Sequence, residues 1–168
     1  MARYAQIIGW GKYLPRKVLT NKELESLVNT SDAWIISRTG IKERRIAGDD
    51  ETASSMAVRA AEDALKVAGI EPRSLDLVIA ATCTADYIFP ACASLVQSSL
   101  GAKNAAAFDV NAACSGFIYA LATACQFVAS GAVEEGRLKD GDHLALVGFG
   151  GGLSWAAMVL EWGSRKRI

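Results

Sequence analysis

An α/β architecture is what this sequence predicts: a mostly parallel sheet covered by helices. Three observations predict it. Strand-like and helix-like segments alternate along the chain. The strand-like segments are short apolar runs without polar alternation, such as LDLVIAA at 75–81, which implies a sheet buried on both faces. The 168 residues are one domain's worth of chain, and a chain of that size buries roughly two thirds of its unfolded surface, enough for a core without staples.

The elements follow in order. YAQIIGW (4–10) reads as a first buried strand. Thr20 and Glu23 have capping-box spacing ahead of Leu24 and Leu27, so a short helix starts there. A second helix starts in TSDAWII (30–36), and 41–46 alternates loosely enough to be an exposed strand or a loop. Thr52 or Ser54 caps an amphipathic helix with Met56, Ala60, Ala64, Leu65 and Val67 on or near one stripe, and Gly69 supplies the left-handed residue that ends it. After Pro72 comes the interior strand 75–81. Pro90 suits the first turn of the next helix, which Gly101 closes. Residues 105–110 form a strand, 116–129 a helix stopped by Gly131, and 143–148 and 153–162 the last two strands. No linker, low-complexity segment or short-period repeat divides the chain, so 1–168 is read as a single domain.

Composition excludes several classes of function. Hydrophobic residues make up 51% and charged residues 21%, which is not the balance of a disordered chain. Lys plus Arg equals Asp plus Glu at 18 each, and the basic clusters around Lys42 and at Arg165–Arg167 are local, so no field recruits nucleic acid. Cys83, Cys92, Cys114 and Cys125 lie in apolar segments without a CxxC pair, which argues against a zinc site or a disulfide framework. The N-terminus lacks a signal-peptide core, and a cytoplasmic protein is expected. Residues 144–160 are uncharged and long enough to raise a membrane span, but Gly148 and Gly150–Gly152 break the run, and two buried strands joined at a glycine turn fit better.

The chemistry gathers at DVNAACSGF (109–117), where Cys114 sits between a strand and a helix. Ligands of open α/β sheets bind at the carboxyl ends of strands. A helix N-terminus offers free N–H groups and positive potential, which favour a thiolate. Position alone leaves two readings open, a nucleophile or a buried structural thiol. Cys83, Cys92 and Cys125 read as structural. GFGGG (148–152) could supply a backbone N–H to an oxyanion hole, or be a turn and nothing more.

Several motifs together resemble the β-ketoacyl-acyl-carrier-protein synthase III family, condensing enzymes of the thiolase superfamily. They are Ile7-Ile-Gly with Tyr13-Leu-Pro15, TSDAWIISRTGI (30–41), Phe89-Pro-Ala, FDVNAACSGF (108–117) and FGGGLSW (149–155). The resemblance implies one thiolase-like half-fold with a five-stranded, mostly parallel (mixed) sheet. It implies that Cys114 accepts an acetyl or short acyl group from coenzyme A and condenses it with malonyl-acyl-carrier protein, with the N–H of Gly151 in the oxyanion hole. Trp34 would stack on the adenine of coenzyme A beside Thr30 and Arg38, although the indole taken alone is as readily a packing residue. Phe89 would line a dimer partner's acyl pocket. No cofactor or metal is implied, because coenzyme A enters as the thioester substrate.

The same resemblance exposes a gap. Residues 1–134 are similar to the family's N-terminal half and 135–168 to its C-terminal end, with the region between them absent. That region carries the family's catalytic histidine and asparagine. His143, the one histidine, precedes its strand while the glycine turn follows it, so it is no substitute. The expected activity is initiation of fatty-acid synthesis, impaired at the condensation step. The alternatives are a non-catalytic binding or assembly unit, or a truncated or engineered form. A half-fold also leaves an apolar face open, so a homodimer or larger assembly is expected.

Overall fold

The structure, a computed structural model, describes residues 4–129, 141, 143–150 and 154–163. Its strands are β1 (Tyr4–Tyr13), β2 (Lys17–Thr20), β3 (Glu43–Ile46), β4 (Leu75–Ala81), β5 (Ala106–Val110), β6 (His143–Gly150) and β7 (Ser154–Gly163). Its helices are α1 (Asn21–Glu25), α2 (Asp32–Thr39), α3 (Ala53–Ala68), α4 (Cys92–Leu100) and α5 (Gly116–Ala129). The expected stop of α5 at Gly131 and the boundary at 134/135 lie outside the described residues.

Five strands form one sheet in the order β1-β7-β6-β4-β5. β4 is parallel to β5 and to β6, and β7 is antiparallel to both β6 and β1, so four strands share a direction and β7 opposes them. β4 is apolar on both sides because both are covered. Val78 and Ala80 face α3 and α4, and Leu77, Ile79 and Ala81 face α5. Burying a Val, Leu or Ile side chain contributes about 1.5–3 kcal/mol, which makes this strand the centre of the core. Residues 144–150 and 154–160 lie in the paired antiparallel strands β6 and β7, and among the described residues no helix is long and apolar enough to cross a membrane.

α3 lies unusually close to β1. Its buried stripe is Ala53, Met56, Ala57, Ala60, Ala61, Ala64 and Leu65, small enough for backbone to meet backbone. A Cβ at Gly9 would stand 2.2 Å from the Ala64 carbonyl oxygen, and one at Gly11 2.1 Å from that of Ala60. Both strand positions must therefore be glycine. Val67, expected near the stripe, is 48% exposed, because it lies to one side of the face turned to β1, which runs on through Ala64 to Ala68.

Local signals placed several boundaries as expected. Thr20 and Glu23 form a capping box on α1, Thr52 rather than Ser54 caps α3, and Gly69 and Gly101 close α3 and α4 in the left-handed conformation. β2 was not anticipated; it pairs with β3 in a separate two-stranded antiparallel sheet. Pro90 stands outside α4 instead of in its first turn: it follows a cis peptide from Phe89, and Ala91 is the N-cap. What sets this start is a carboxylate from another strand. Asp109 Oδ2 and Oδ1 accept the N–H groups of Cys92 and Ala93 at 2.8 and 2.7 Å.

Candidate active site

Parallel strands bring three chain exits to one edge of the sheet. Ala81, at the end of β4, is in register with Val110 at the end of β5 and with Gly148 in β6. The loop 82–91, the turn that holds Cys114 and the exit of β6 toward Gly151 therefore leave from neighbouring positions. That edge is where an α/β sheet receives ligands. Gly151 and Gly152 themselves lie outside the described residues.

Cys114 is exposed. It occupies a single 3-10 turn, Ala113–Ser115, closed by the Ser115 N–H donating to the Ala112 carbonyl at 3.1 Å, and α5 starts two residues later. Ala113, immediately before it, has φ +45°, a left-handed conformation that costs a residue with a Cβ of order 1–3 kcal/mol. Tight packing fixes the start of α5 beneath the turn. A Cβ at Gly116 would meet Cβ of Ala81 at 3.3 Å, and one at Gly148 would meet Phe117 Cδ2 at 3.0 Å. The cysteine is thus held at the sheet edge beside the glycine-containing end of β6, with its thiol open to approach.

Loop 82–91 is fastened on both sides. The Thr82 N–H extends the β4–β5 ladder by donating to the Val110 carbonyl at 3.2 Å. Its Oγ1 accepts the Thr84 N–H at 3.1 Å, which turns the chain at Cys83. Cys83, expected as a structural residue, is exposed at this turn. Asp86 reaches the start of α3, accepting the Ser54 N–H at 2.9 Å and the Ser54 hydroxyl at 2.5 Å. Partial burial raises the Asp86 pKa, but the hydrogen bonds from Ser54 and Thr52 outweigh it and hold the carboxyl below its ordinary value. The loop's tip carries Tyr87, Ile88 and Phe89, which are 63%, 106% and 88% exposed.

The residues expected at a nucleotide mouth are partly assembled. Trp34 is 55% exposed on α2, so it is not a packing residue, and the Arg38 guanidinium lies over its ring at 5.3 Å from the centroid. The one-turn spacing brings them together. Thr30 is half-buried just before Ser31, which caps α2. The result is an open aromatic surface with a cation at its edge. Phe89 and Cys114 stand on other loops. His143 begins β6, with its N–H donating to Asp76 Oδ2 at 3.1 Å, at the opposite end of that strand from Gly148. Five residues at about 3.3 Å each separate the two.

Cys92 also begins a helix, but it is buried, and burial pushes its thiol up to about 12, with the Asp109 and Asp86 charges adding to the effect. Cys125 on α5 is half-buried. A separate shallow groove lined by Trp10, Gly11, Lys12, Asp63, Lys66 and Val67 runs between β1 and α3 and holds no nucleophile. Sequence reasoning did not anticipate the capping roles of Asp86 and Asp109, since each carboxylate caps a helix distant in the chain.

Fold and site together define a thiolase-like α/β half-fold, with a cysteine on the turn after its edge strand. A 3-oxoacyl-[acyl-carrier-protein] synthase III from Aquifex aeolicus superposes with a TM-score of 0.83 at 42% identity, over 98% of this chain and 55% of its own. The priming β-ketosynthase of the R1128 polyketide pathway superposes at 0.82 and 34% identity, over 95% of this chain and 50% of its own. The family model for the C-terminal part of 3-oxoacyl-[acyl-carrier-protein] synthase III matches residues 111–162. The β-ketoacyl-[acyl-carrier-protein] synthase III of Methylococcus capsulatus is 55% identical over 131 residues, 78% of this chain and 41% of that protein. That of Ehrlichia canis is 57% identical over 128 residues, 76% of this chain and 40% of its own length. The chain belongs to the β-ketoacyl-[acyl-carrier-protein] synthase III family and spans about two fifths of the length of the curated relatives it matches.

Proposed function

We propose that this chain is an acyltransferase of the condensing-enzyme type, retaining the acyl-accepting half of the reaction. The observation that carries the reading is Cys114, exposed on a packed turn where three strand exits converge. The Cys114 thiolate attacks the thioester carbonyl of an acyl-coenzyme A and forms a new C–S bond. The oxyanion is held by backbone N–H groups, those of Cys114 and Gly151 being the candidates. Collapse of the intermediate breaks the old C–S bond, and the coenzyme A thiolate leaves and takes a proton from solvent. Trp34 and Arg38 offer a stacking plane and a cation suited to the nucleotide end, with Thr30 beside them.

The second half reaction would be condensation with malonyl-acyl-carrier protein to give a β-ketoacyl-acyl-carrier protein, the product class in the relatives' names, and would place the chain at initiation of fatty-acid synthesis in the cytoplasm. Decarboxylation needs groups that stabilise an enolate. The chain's one histidine is at the wrong end of β6 for that task, so we infer that condensation is severely impaired. The reading that competes is a non-catalytic assembly unit, favoured by the exposed Tyr87–Phe89 tip, where Phe89 would meet a partner subunit. Intact mass after incubation with acetyl-coenzyme A, with and without malonyl-acyl-carrier protein, separates the cases. One acetyl adduct that survives addition of the malonyl donor is expected. No adduct, or equal labelling of Cys114→Ala, overturns the acyltransferase reading.

A further inference from the structure

Residues 17–46 form a lobe with a sheet of its own, β2 paired with β3, and α1 and α2 lie between those strands in the chain. Two residues of the lobe are buried, Ile35 at 8% and Asn21 at 1%. One apolar side chain is a thin anchor for α2. A helix of eight residues has little stability of its own and takes its orientation from what holds it.

Asn21 and Thr82 are the buried polar side chains among the described residues, and Thr82 is used in the turn at Cys83. Asn21 opens α1, but Thr20 and Glu23 do the capping there. Its amide reaches α2 instead. Nδ2 donates to Asp32 Oδ1 and to the Ile41 carbonyl, both at 2.8 Å. Asp32 is the first residue of α2, and Ile41 follows Gly40, the left-handed residue that closes it. Oδ1 accepts from Arg44 Nη2 of β3 at 2.5 Å, and Arg44 Nη1 donates to the Leu19 carbonyl of β2 at 3.2 Å. The Asn21 backbone N–H donates to the Lys42 carbonyl at 3.2 Å. A single side chain thus holds both ends of α2 and ties them to the β2–β3 pair. The partners also dictate its type. A carboxylate and a carbonyl only accept and a guanidinium only donates, so the point where they meet calls for two N–H groups and an oxygen on one short planar group. An aspartate would set oxygen against two acceptors.

We propose that Asn21 is a positioning residue that fixes α2 so that Trp34 and Arg38 are presented in one orientation to the nucleotide end of an acyl-coenzyme A. The proposal rests on the reading of that pair as the nucleotide surface. Trp34 is 55% exposed while its neighbour Ile35 faces in, so the angle of the indole follows the angle of the helix. A helix left loose would have to be ordered by the ligand, and binding would be weaker by that cost.

The test compares the wild type, Asn21→Asp and Trp34→Ala in three measurements. They are amide hydrogen exchange across 32–41, coenzyme A affinity by calorimetry, and acetylation of Cys114 by two donors. The donors are acetyl-coenzyme A and S-acetyl-N-acetylcysteamine, a thioester without the nucleotide. Asn21→Asp should speed exchange in 32–41 but not in α3 or α4, and should weaken coenzyme A binding at least about tenfold. Acetylation should slow with acetyl-coenzyme A alone. Asn21→Ala, which brings in no charge, is the second variant should the aspartate unfold the chain. Equal slowing with both donors would make Asn21 merely structural and overturns the proposal, as does unchanged coenzyme A affinity. In that last case Trp34→Ala tells what has failed. If it weakens binding, the nucleotide surface stands and the positioning role falls; if it does not, the nucleotide reading falls with it.

Discussion

Two helices of this fold start with a cysteine close to their free N–H groups, and the two thiols meet opposite surroundings. At α4, Asp109 has taken the N–H groups of Cys92 and Ala93, and the Cys92 side chain is sealed in the core. At the start of α5, Cys114 is carried one turn ahead of the helix by the strained Ala113, and its thiol faces outward. A helix start alone does not make a nucleophile. What separates the two positions is burial and whether another side chain already occupies the N–H groups, and both are decided by distant parts of the chain.

Exchanging the roles of the two thiols is the strongest way to break this comparison. Cys114→Ala should abolish labelling by acetyl-coenzyme A, while Cys92→Ala should leave labelling intact, both read by intact mass. Asp109→Ala comes next. It removes the acceptor of two N–H groups and should cost about 1–3 kcal/mol, measured by denaturant titration, and it should let the start of α4 fray. Gly148→Ala sharpens the other side. Its Cβ would press Phe117 at 3.0 Å and displace the start of α5, for a loss of about 1–3 kcal/mol and slower acetylation.

The last test concerns pH. The Cys92 thiol titrates at about 12 in the fold against 9.0 for a free one. The folded state therefore holds a proton that the unfolded chain releases, so stability is intact below pH 9 and falls as pH rises from 9 toward 12. Tyr13, whose pKa is raised first by its hydrogen bond to Glu51, contributes in the same direction above its own ordinary value. Cys92→Ala should flatten the cysteine's part of that slope in denaturant titrations at stepped pH.

Much of the fold was legible because its signals are local. The Thr20–Glu23 box, the Thr52 cap, Gly69 and Gly101, and the apolar run Leu77–Ala81 of β4 each announce themselves within a few residues. β2 did not, because KVLT is a strand only through its pairing with β3, more than twenty residues on. Pro90 was misplaced for the same reason, since the start of α4 is set by Asp109 from β5. At the site, position left Cys114 between two readings. The motif resemblance favoured the nucleophile, and the fold shows Cys114 exposed rather than buried. Trp34 was equally open until its exposure and the Arg38 contact placed it on the surface.

The sheet order has a temporal meaning. β1 pairs with β7 alone, so Tyr4 waits for Gly163 before its ladder can close. On a ribosome, the first strand emerges long before its partner and must remain unpaired, with Ile7 and Trp10 open to other chains, until the last strand is made. Synthesis halted anywhere before residue 154 would yield a chain whose opening strand has nowhere to go.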